Sequence, residues 1–424
     1  MSRTAIGSSL DRKRLLQVLL PLFLASIIAY LDRVNLAYAG LTMNKDLGFG
    51  PSVFGMGAGI FFAGYVLFEV PGALIAEKYS PRVWLARILI SWGLVSALMA
   101  LVTTEWQFYM VRLLLGVAEA SFYPVAYASV IPRWYSAAER PRAIALMLTS
   151  LQISAIIGSP LAGWILSLHL DWIKGWQFLF LIEAVPALVF GFILLFWLKD
   201  WPKDAPWLTQ EEKQCLERAY REETDAKDSV RKYTVLQALG NTEVLKLCLT
   251  YFLWITGFWG YNYWMPTVLE EVSGWSTIKL GWMIVIPMGL SLLAMVLIGW
   301  SSSRTGEKRW HGAIPMFIAA AAMAGGTSAK GPVAGLIFVC FAGIGVFGAF
   351  GVWWSYPTTF LSGAAAAGAI GLINSCGNVG GWVGPYLTGF VKQLTGSFNN
   401  AYIFLCICLA AAGVLMLTLK RREA

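Results

Sequence analysis

The chain has 424 residues, of which 58% are hydrophobic and 13% are charged, and its mean hydropathy is +0.63. A water-soluble domain of this length does not carry so little charge, so the composition predicts a protein that lies in lipid. The formal net charge of +8 does not indicate a nucleic-acid partner, because the basic residues are dispersed in loop-sized groups and do not follow one face.

Apolar runs of about twenty residues, the length that crosses a bilayer as a helix, recur along the whole chain. We predict twelve spans, at 14–38, 53–77, 81–103, 106–131, 140–166, 176–200, 243–268, 277–301, 310–327, 331–354, 361–391 and 398–420. The first run follows Arg12, Lys13 and Arg14 and so imitates a secretory signal, but it continues past Tyr30 and has no small-residue cleavage site. The sequence therefore predicts an all-α polytopic membrane protein.

Basic residues lie mainly in alternate loops. The rich loops and termini carry Arg3, Arg12, Lys13, Arg14, Lys78, Arg82, Arg87, Arg133, Arg140, Arg142, Arg304, Lys308, Arg309, Lys420, Arg421 and Arg422, and the poor loops carry Lys45, Lys174, Lys279, Lys330 and Lys392. Because loops rich in Lys and Arg stay in the cytoplasm, both termini are predicted to be cytoplasmic, which requires an even number of spans. The six cysteines have no metal-ligand spacing, so we expect reduced packing residues and no bound metal.

One long polar stretch, 201–242, interrupts the series of spans. It divides the chain into an N-terminal six-helix half at 1–200 and a C-terminal six-helix half at 243–424, and its charges predict a solvated cytoplasmic linker. The loop after the second span, 72–82, has a counterpart after the eighth span, 299–309. Such a repeat indicates duplicated halves with a binding site where they meet, near the midplane.

Few charges lie deep in the predicted spans. The basic ones are Arg33 and Arg112, the acidic ones are Asp32, Glu69 and Glu119, and Glu183 lies nearer the end of its span. An ionisable side chain inside a membrane is costly, so these residues predict a functional site. Arg112 and Glu119 are two helical turns apart and share one face of the fourth span. A salt-bridge network that only packs the helices is the alternative.

Short motifs in both halves resemble those of the major facilitator superfamily. The loops at 72–82 and 299–309 resemble its Gly-x-x-x-Asp-Arg-x-Gly-Arg-Arg signature, with Glu77 in place of the aspartate in the first loop and Ser303 in place of the acid in the second. Four further segments, at 30–35, 112–120, 133–140 and 374–381, resemble the anion:cation symporter branch. The resemblance implies twelve helices in a bacterial inner membrane. It also implies import of sugar acids, tartrate-like hydroxy diacids or aromatic carboxylates, with protons as the coupling ion and no other cofactor.

The resemblance and the buried charges together assign roles to residues of this sequence. The substrate-binding residues are Arg33, Arg112, Tyr30, Tyr65, Gln152, Asn374 and Asn378, the proton-coupling residues are Asp32, Glu119 and Glu69, and the residues of conformational gating are Glu77, Lys78, Arg82 and Arg304. For Glu69 and for each uncharged polar residue, a hydrogen bond that packs helices is the alternative. In the superfamily the acid of the signature holds a neighbouring helix in the outward-open state, so Ser303 implies a weaker hold in the second half.

Organophosphate exchangers of the same superfamily place their paired arginines on the first and seventh spans. The seventh span of this chain has no arginine, so the resemblance implies a carboxylate in preference to a phosphate ester. Its aromatic residues are expected to pack, and a few of them to form an apolar wall opposite the arginines: Trp254, Phe258, Trp259, Tyr261, Tyr263 and Trp264. A membrane enzyme is disfavoured, because His169 and His311 lie near loops and no nucleophile motif accompanies them. A proton-independent exchanger or a non-transporting sensor stays open. The expected partners are a small organic anion, protons and the lipid bilayer, and a monomer is expected.

Overall fold

The computed structural model describes residues 3–228, 241–354 and 363–419. Within these ranges the structure is almost entirely helical, and its β-type bonding is confined to an isolated bridge between Leu170 and Ile173. The long helical segments are α1 (Ser9–Leu47), α2 (Pro51–Lys78), α3 (Pro81–Leu101), α4 (Glu105–Trp134), α5 (Arg140–Leu166), α6 (Gly175–Trp197), α7 (Thr242–Ser273), α8 (Thr277–Thr305), α9 (Arg309–Gly326), α10 (Pro332–Trp353), α11 (Gly363–Thr395) and α12 (Phe398–Thr418). A helix closes its backbone hydrogen bonds internally, as hydrocarbon requires.

The observed helices match the predicted spans in number and order within the described ranges, and the largest difference is at the end of α1. The prediction ended this span at residue 38, where the apolar run ends, but the helix continues to Leu47. Gly48 then adopts a φ of 69°, and its N–H donates to the carbonyl of Asn44. The helix therefore ends at a glycine in the left-handed conformation and not at the point where the sequence becomes polar.

Nine of the helices in the described ranges are long and apolar enough to cross a membrane, by length and composition. The three long helices that do not meet this criterion are α7, α9 and α11. α7 and α11 pack against each other, and α11 also packs against α2. Neighbouring helices therefore cover their polar and aromatic side chains, so a fully apolar surface is not needed. In α9, Arg309 and His311 in the first turn lower the mean hydropathy.

The two halves meet along the pairs α2–α11 and α5–α8. We call the end of the bundle that carries Arg14, Arg82, Arg140 and Arg304 the basic end, and the other the opposite end. At the basic end, no ion pair among the described residues joins the two halves.

Toward the opposite end the halves are in close contact. The backbone amide of Ser52 in α2 donates to Oε1 of Gln393 in α11 at 3.1 Å. The helix backbones also come close together, because a Cβ built on Gly55 would lie 2.4 Å from the carbonyl oxygen of Pro385. Small residues at membrane interfaces permit this approach. The structure is thus closed between the halves at the opposite end.

The segment between the halves contains the helix Gln210–Asp228. Glu212 accepts a hydrogen bond from Lys13 at 2.8 Å, and Glu223 accepts one from Arg140 at 2.5 Å. The expected solvated linker is therefore in part a helix docked on the N-terminal half, because its acids find basic partners there. Residues 229–240 of the predicted linker lie outside the described residues.

Candidate functional site

Arg33 of α1 and Glu119 of α4 form a buried ion pair within the N-terminal half. Nη2 of Arg33 donates to Oε1 of Glu119, and the exposed fractions of the two side chains are 7% and 1%. Four aromatic rings lie around the guanidinium, with centroids 5.0 to 5.6 Å from its Cζ atom: Tyr30, Phe61, Tyr65 and Trp259. Ring faces stabilise a desolvated cation, and the pairing leaves neither charge uncompensated.

Arg112 is equally buried, with 1% exposure, but it has a different set of partners. Its Nε donates to the carbonyl of Gly57 at 3.1 Å, and its Nη2 lies 3.5 Å from the hydroxyl of Tyr263. Although Arg112 shares a face of α4 with Glu119, the carboxylate pairs with Arg33. No carboxylate of the described residues lies within 4.0 Å of Arg112. Of the two deep arginines, Arg112 is therefore the one available to an external anion.

The local structure of α4 sets these positions. Its regular part, Glu105–Glu119, ends where Ser121 adopts a φ of 73°, which is uncommon for a residue with a side chain. Nε1 of Trp84 donates to the Ser121 hydroxyl at 2.9 Å and supports this break. A Cβ on Gly116 would lie 2.0 Å from the carbonyl oxygen of Phe61. Glycine is therefore required for α2 to bring its aromatic residues beside the arginines.

Asp32 of α1 forms a hydrogen bond with a residue of α3. The hydroxyl of Ser96 donates to its Oδ1 at 2.5 Å, while Oδ2 has no hydrogen-bond partner among the described residues. Glu183 of α6 lies within electrostatic range of Asp32, and in the described part of the chain neither of its buried oxygens has a partner. Glu183 is therefore a further buried acid close to a predicted coupling acid. Sequence reasoning left Glu183 out of the site, although an acid in an apolar helix was the signal that identifies it.

Glu69 of α2 bonds to two other predicted site residues, both on α11. Nδ2 of Asn374 donates to its Oε1 at 2.6 Å, and Nδ2 of Asn378 donates to its Oε2 at 3.2 Å. Glu69 is 5% exposed. The structure therefore brings together a predicted coupling acid and two predicted substrate ligands, in a contact that joins the two halves.

The remaining predicted ligands surround the same region. The rings of Tyr30 and Tyr65 lie beside Arg33, as described above. Gln152 of α5 is fully buried, and its Nε2 lies 3.5 Å from Sδ of Met295 in α8, so it also contacts the other half. The substrate-binding roles of these residues stay predictions.

A small cavity lies at the junction of the halves. Its lining includes Tyr30, Arg33, Trp259, Phe258 and Met288. Its volume is about 30 Å³, which is room for only a few water molecules. An organic anion therefore requires side chains or helices to move before it enters.

The gating residues of the first half bond within that half. Nη2 of Arg133 donates to Oε1 of Glu77 at 3.1 Å, and this contact links α2 to the end of α4. Arg82 donates from its backbone amide to Oδ1 of Asp200 at 2.9 Å. The acid of the first signature loop thus holds a neighbouring helix in this structure, and its part in gating stays a prediction.

Other gating residues make weaker contacts. The Nζ atom of Lys78 lies 5.4 Å from the ring centroid of Tyr79, and the Cζ atom of Arg304 lies 4.3 Å from the ring centroid of Trp300. The hydroxyl of Ser303 donates to the carbonyl of Trp300, in its own helix, at 2.7 Å. In the second signature loop, position 303 therefore bonds locally, unlike Glu77 in the first.

Comparison with known proteins agrees with this fold. The sequence profile described as Major Facilitator Superfamily matches residues 22–385. The "Putative tartrate transporter" of Agrobacterium vitis is 42% identical over 403 residues, which cover 94% of this chain and 89% of that protein. The "Putative metabolite transport protein NicT" of Pseudomonas putida is 38% identical over 403 residues, with 93% and 91% covered. The inward open structure of the xylose transporter XylE from E. coli has a TM-score of 0.74 at 15% identity and covers 96% of each chain.

Fold and comparisons together define a polytopic membrane transporter and not an enzyme. The chain belongs to the Major Facilitator Superfamily. The resemblance that its motifs carry, to this superfamily and to its anion:cation symporter branch, is confirmed.

Proposed function

We propose that this protein imports a small organic carboxylate across a bacterial inner membrane together with protons, by alternating access between its halves. The relatives that share most of its length include a protein named as a putative tartrate transporter and the putative metabolite transport protein NicT. Hydroxy diacids, sugar acids and aromatic carboxylates all belong to the proposed substrate class.

Arg112 is the observation that carries this proposal. It is a buried arginine without a carboxylate partner within 4.0 Å among the described residues. Its side chain reaches the other half, where it contacts the hydroxyl of Tyr263. A guanidinium binds a carboxylate through two parallel hydrogen bonds and stays charged. A substrate carboxylate at Arg112 would form the close ion pair that no described carboxylate makes with it.

The deep acids supply the proton coupling. Asp32, Glu69 and Glu119 outnumber Arg33 and Arg112, so an incoming anion meets a net negative cluster when all three are ionised. Protonation of one acid neutralises the cluster, and protonation of two makes it net positive. Substrate and proton therefore favour each other's binding, which is the thermodynamic requirement for symport.

The orientation follows from charge. If the basic end is cytoplasmic, as the distribution of Lys and Arg indicates, both termini lie in the cytoplasm. The contacts between Ser52 and Gln393 and between Gly55 and Pro385 then close the periplasmic side. The arrangement corresponds to an inward-facing state, and transport requires these contacts to separate.

Uptake into proteoliposomes tests the proposal. The purified protein is offered labelled tartrate, galactarate and benzoate, with the interior made alkaline or left at the external pH. We expect accumulation of at least one carboxylate only with the gradient, and none after a protonophore. Exchange without gradient-driven accumulation would establish an exchanger, and absence of both binding and exchange for every carboxylate would contradict the proposal.

A further inference from the structure

Asn374 and Asn378 form a receptor for one carboxylate. They are four residues apart on α11 and therefore lie on one face, one turn from each other. Each donates from its amide nitrogen to a different oxygen of Glu69, at 2.6 and 3.2 Å. Two donors on the two oxygens of one carboxylate are the arrangement that recognises this group.

The protein's own acids occupy two of the anion-binding positions at the junction of the halves. Glu119 is paired with Arg33, and Glu69 accepts hydrogen bonds from the two asparagines. The adjoining cavity, at about 30 Å³, has room for only a few water molecules in this state. An external anion that takes over these hydrogen bonds replaces the internal carboxylates.

Burial disfavours the charged form of Glu69, and the hydrogen bonds from the two amides oppose that effect. A buried carboxylate is stable only with donors or a cation nearby. Arg33 is within electrostatic range, and the tyrosines Tyr65 and Tyr251 are the other titratable groups that face it. If the two amides turn to another ligand, Glu69 loses its direct donors and gains affinity for a proton.

We propose that Glu69 is a built-in competitor of the substrate: in the state described here it occupies the Asn374–Asn378 pair, which binds the second carboxylate of a diacid once Glu69 has left. The inference rests on the proposed function, because the first carboxylate binds at Arg112. The diacid then connects α4 of one half to α11 of the other. It replaces a direct contact between the halves with a contact through the substrate.

The same exchange couples a proton to the diacid. A protonated Glu69 has lost one acceptor oxygen, so it holds the two amides less firmly. Diacid binding drives Glu69 toward its protonated form, and protonation clears the amides for the diacid. A monocarboxylate needs Arg112 alone and leaves Glu69 in place.

Matched ligands separate the two carboxylates. The purified full-length protein is titrated calorimetrically with tartrate, malate and galactarate, and with the monoamide of each, which keeps the chain length and removes one charge. We expect wild-type protein to bind at least one diacid more tightly than its monoamide. The double variant Asn374→Ala/Asn378→Ala should lose at least about tenfold in diacid affinity and little in monoamide affinity, since only the diacid uses the amide pair.

Glu69→Gln tests the competition itself. A neutral glutamine holds the amides less strongly than a carboxylate, so this variant should bind the diacid more tightly than wild type. Retained monoamide binding shows that each variant is folded. Gln393→Ala removes another contact between α2 and α11, at the opposite end, and is the control that should leave the ratio of diacid to monoamide affinity unchanged.

Weaker diacid binding in Glu69→Gln, or equal losses for both ligands in the asparagine variant, would overturn the inference. Equal affinities for diacid and monoamide in wild-type protein would also overturn it, while the proposed function stands. If no carboxylate of either kind binds the wild-type protein, it is the proposed function that fails.

Discussion

The two halves contribute different chemistry to the same site. The N-terminal half supplies the charges, with Arg33, Arg112 and Glu119 all buried between its helices. The C-terminal half supplies neutral groups, namely the Trp259 ring over Arg33 and the Tyr263 hydroxyl near Arg112. In the proposed mechanism, charge selection and proton handling are therefore concentrated in one half, and the other half offers a surface that closes on the ligand.

This division explains how one bound anion can act on two rigid bodies. An ion pair between the halves would resist their separation, because a buried charge that loses its partner costs several kcal/mol. Neutral hydrogen bonds and ring contacts are worth about 1 kcal/mol each and are exchanged more easily. The asymmetry thus permits the halves to move while Arg33 and Glu119 stay paired within the first half.

The largest expected effect comes from replacing Arg112 with lysine. Lysine keeps the charge but loses the two parallel hydrogen bonds, so substrate affinity should fall by about 10- to 150-fold, the value of one hydrogen bond to a charged group. Binding is measured by calorimetry on protein that still reaches the membrane. Arg142→Lys, at an exposed position, is the matched control. Unchanged affinity in Arg112→Lys would remove the anion-binding role.

Glu119→Gln separates binding from coupling within the charged half. The amide imitates the protonated acid, so exchange of substrate across the membrane should survive while accumulation driven by a pH gradient disappears. Counterflow and gradient-driven uptake are measured in the same proteoliposomes. A variant that still concentrates substrate would show that the coupling acid is another, with Glu69 and Asp32 as the remaining candidates.

The sequence predicted the fold and the buried charged residues better than it predicted which of those residues contact each other. Hydropathy and charge identify helices and costly buried ions, because lipid acts on each helix separately. Which arginine Glu119 binds depends on how α1 and α4 pack, and helix periodicity alone placed it beside Arg112. Glu183 was left out of the site for the same reason, since its relation to Asp32 exists only once α6 packs against α1 and α3.

A smaller effect is expected in the neutral half. Tyr263→Phe removes the hydroxyl that lies 3.5 Å from Arg112 but keeps the ring. We expect substrate affinity to fall by about two- to tenfold, the worth of one neutral hydrogen bond, and the pH dependence of uptake to be unaltered. Tyr402→Phe, on α12, is the control. A change in proton coupling in Tyr263→Phe would contradict the division of roles between the halves.

The smallest effect concerns the loop before α5, away from the site. Partial burial alone would raise the pKa of Glu139, but hydrogen bonds from Arg14 and Ser136 lower it to about 2. A lowered pKa contributes stability that is present above the usual value of 4.5 and is lost as the pH falls toward 2. The melting temperature of wild-type protein should therefore fall more steeply across this range than that of Glu139→Gln. Glu211→Gln, in the exposed first turn of the linker helix, should behave like wild type, and parallel curves for all three proteins would contradict the account.

The most direct test of proton-coupled import is proton movement caused by the substrate itself. A transported carboxylate is added to proteoliposomes that have no pH gradient, and the external pH is followed with a membrane-impermeant dye. We predict that the external medium becomes more alkaline as substrate enters, that Arg112→Lys reduces the signal and that Glu119→Gln abolishes it. Substrate entry at an unchanged external pH in wild-type vesicles would contradict proton symport.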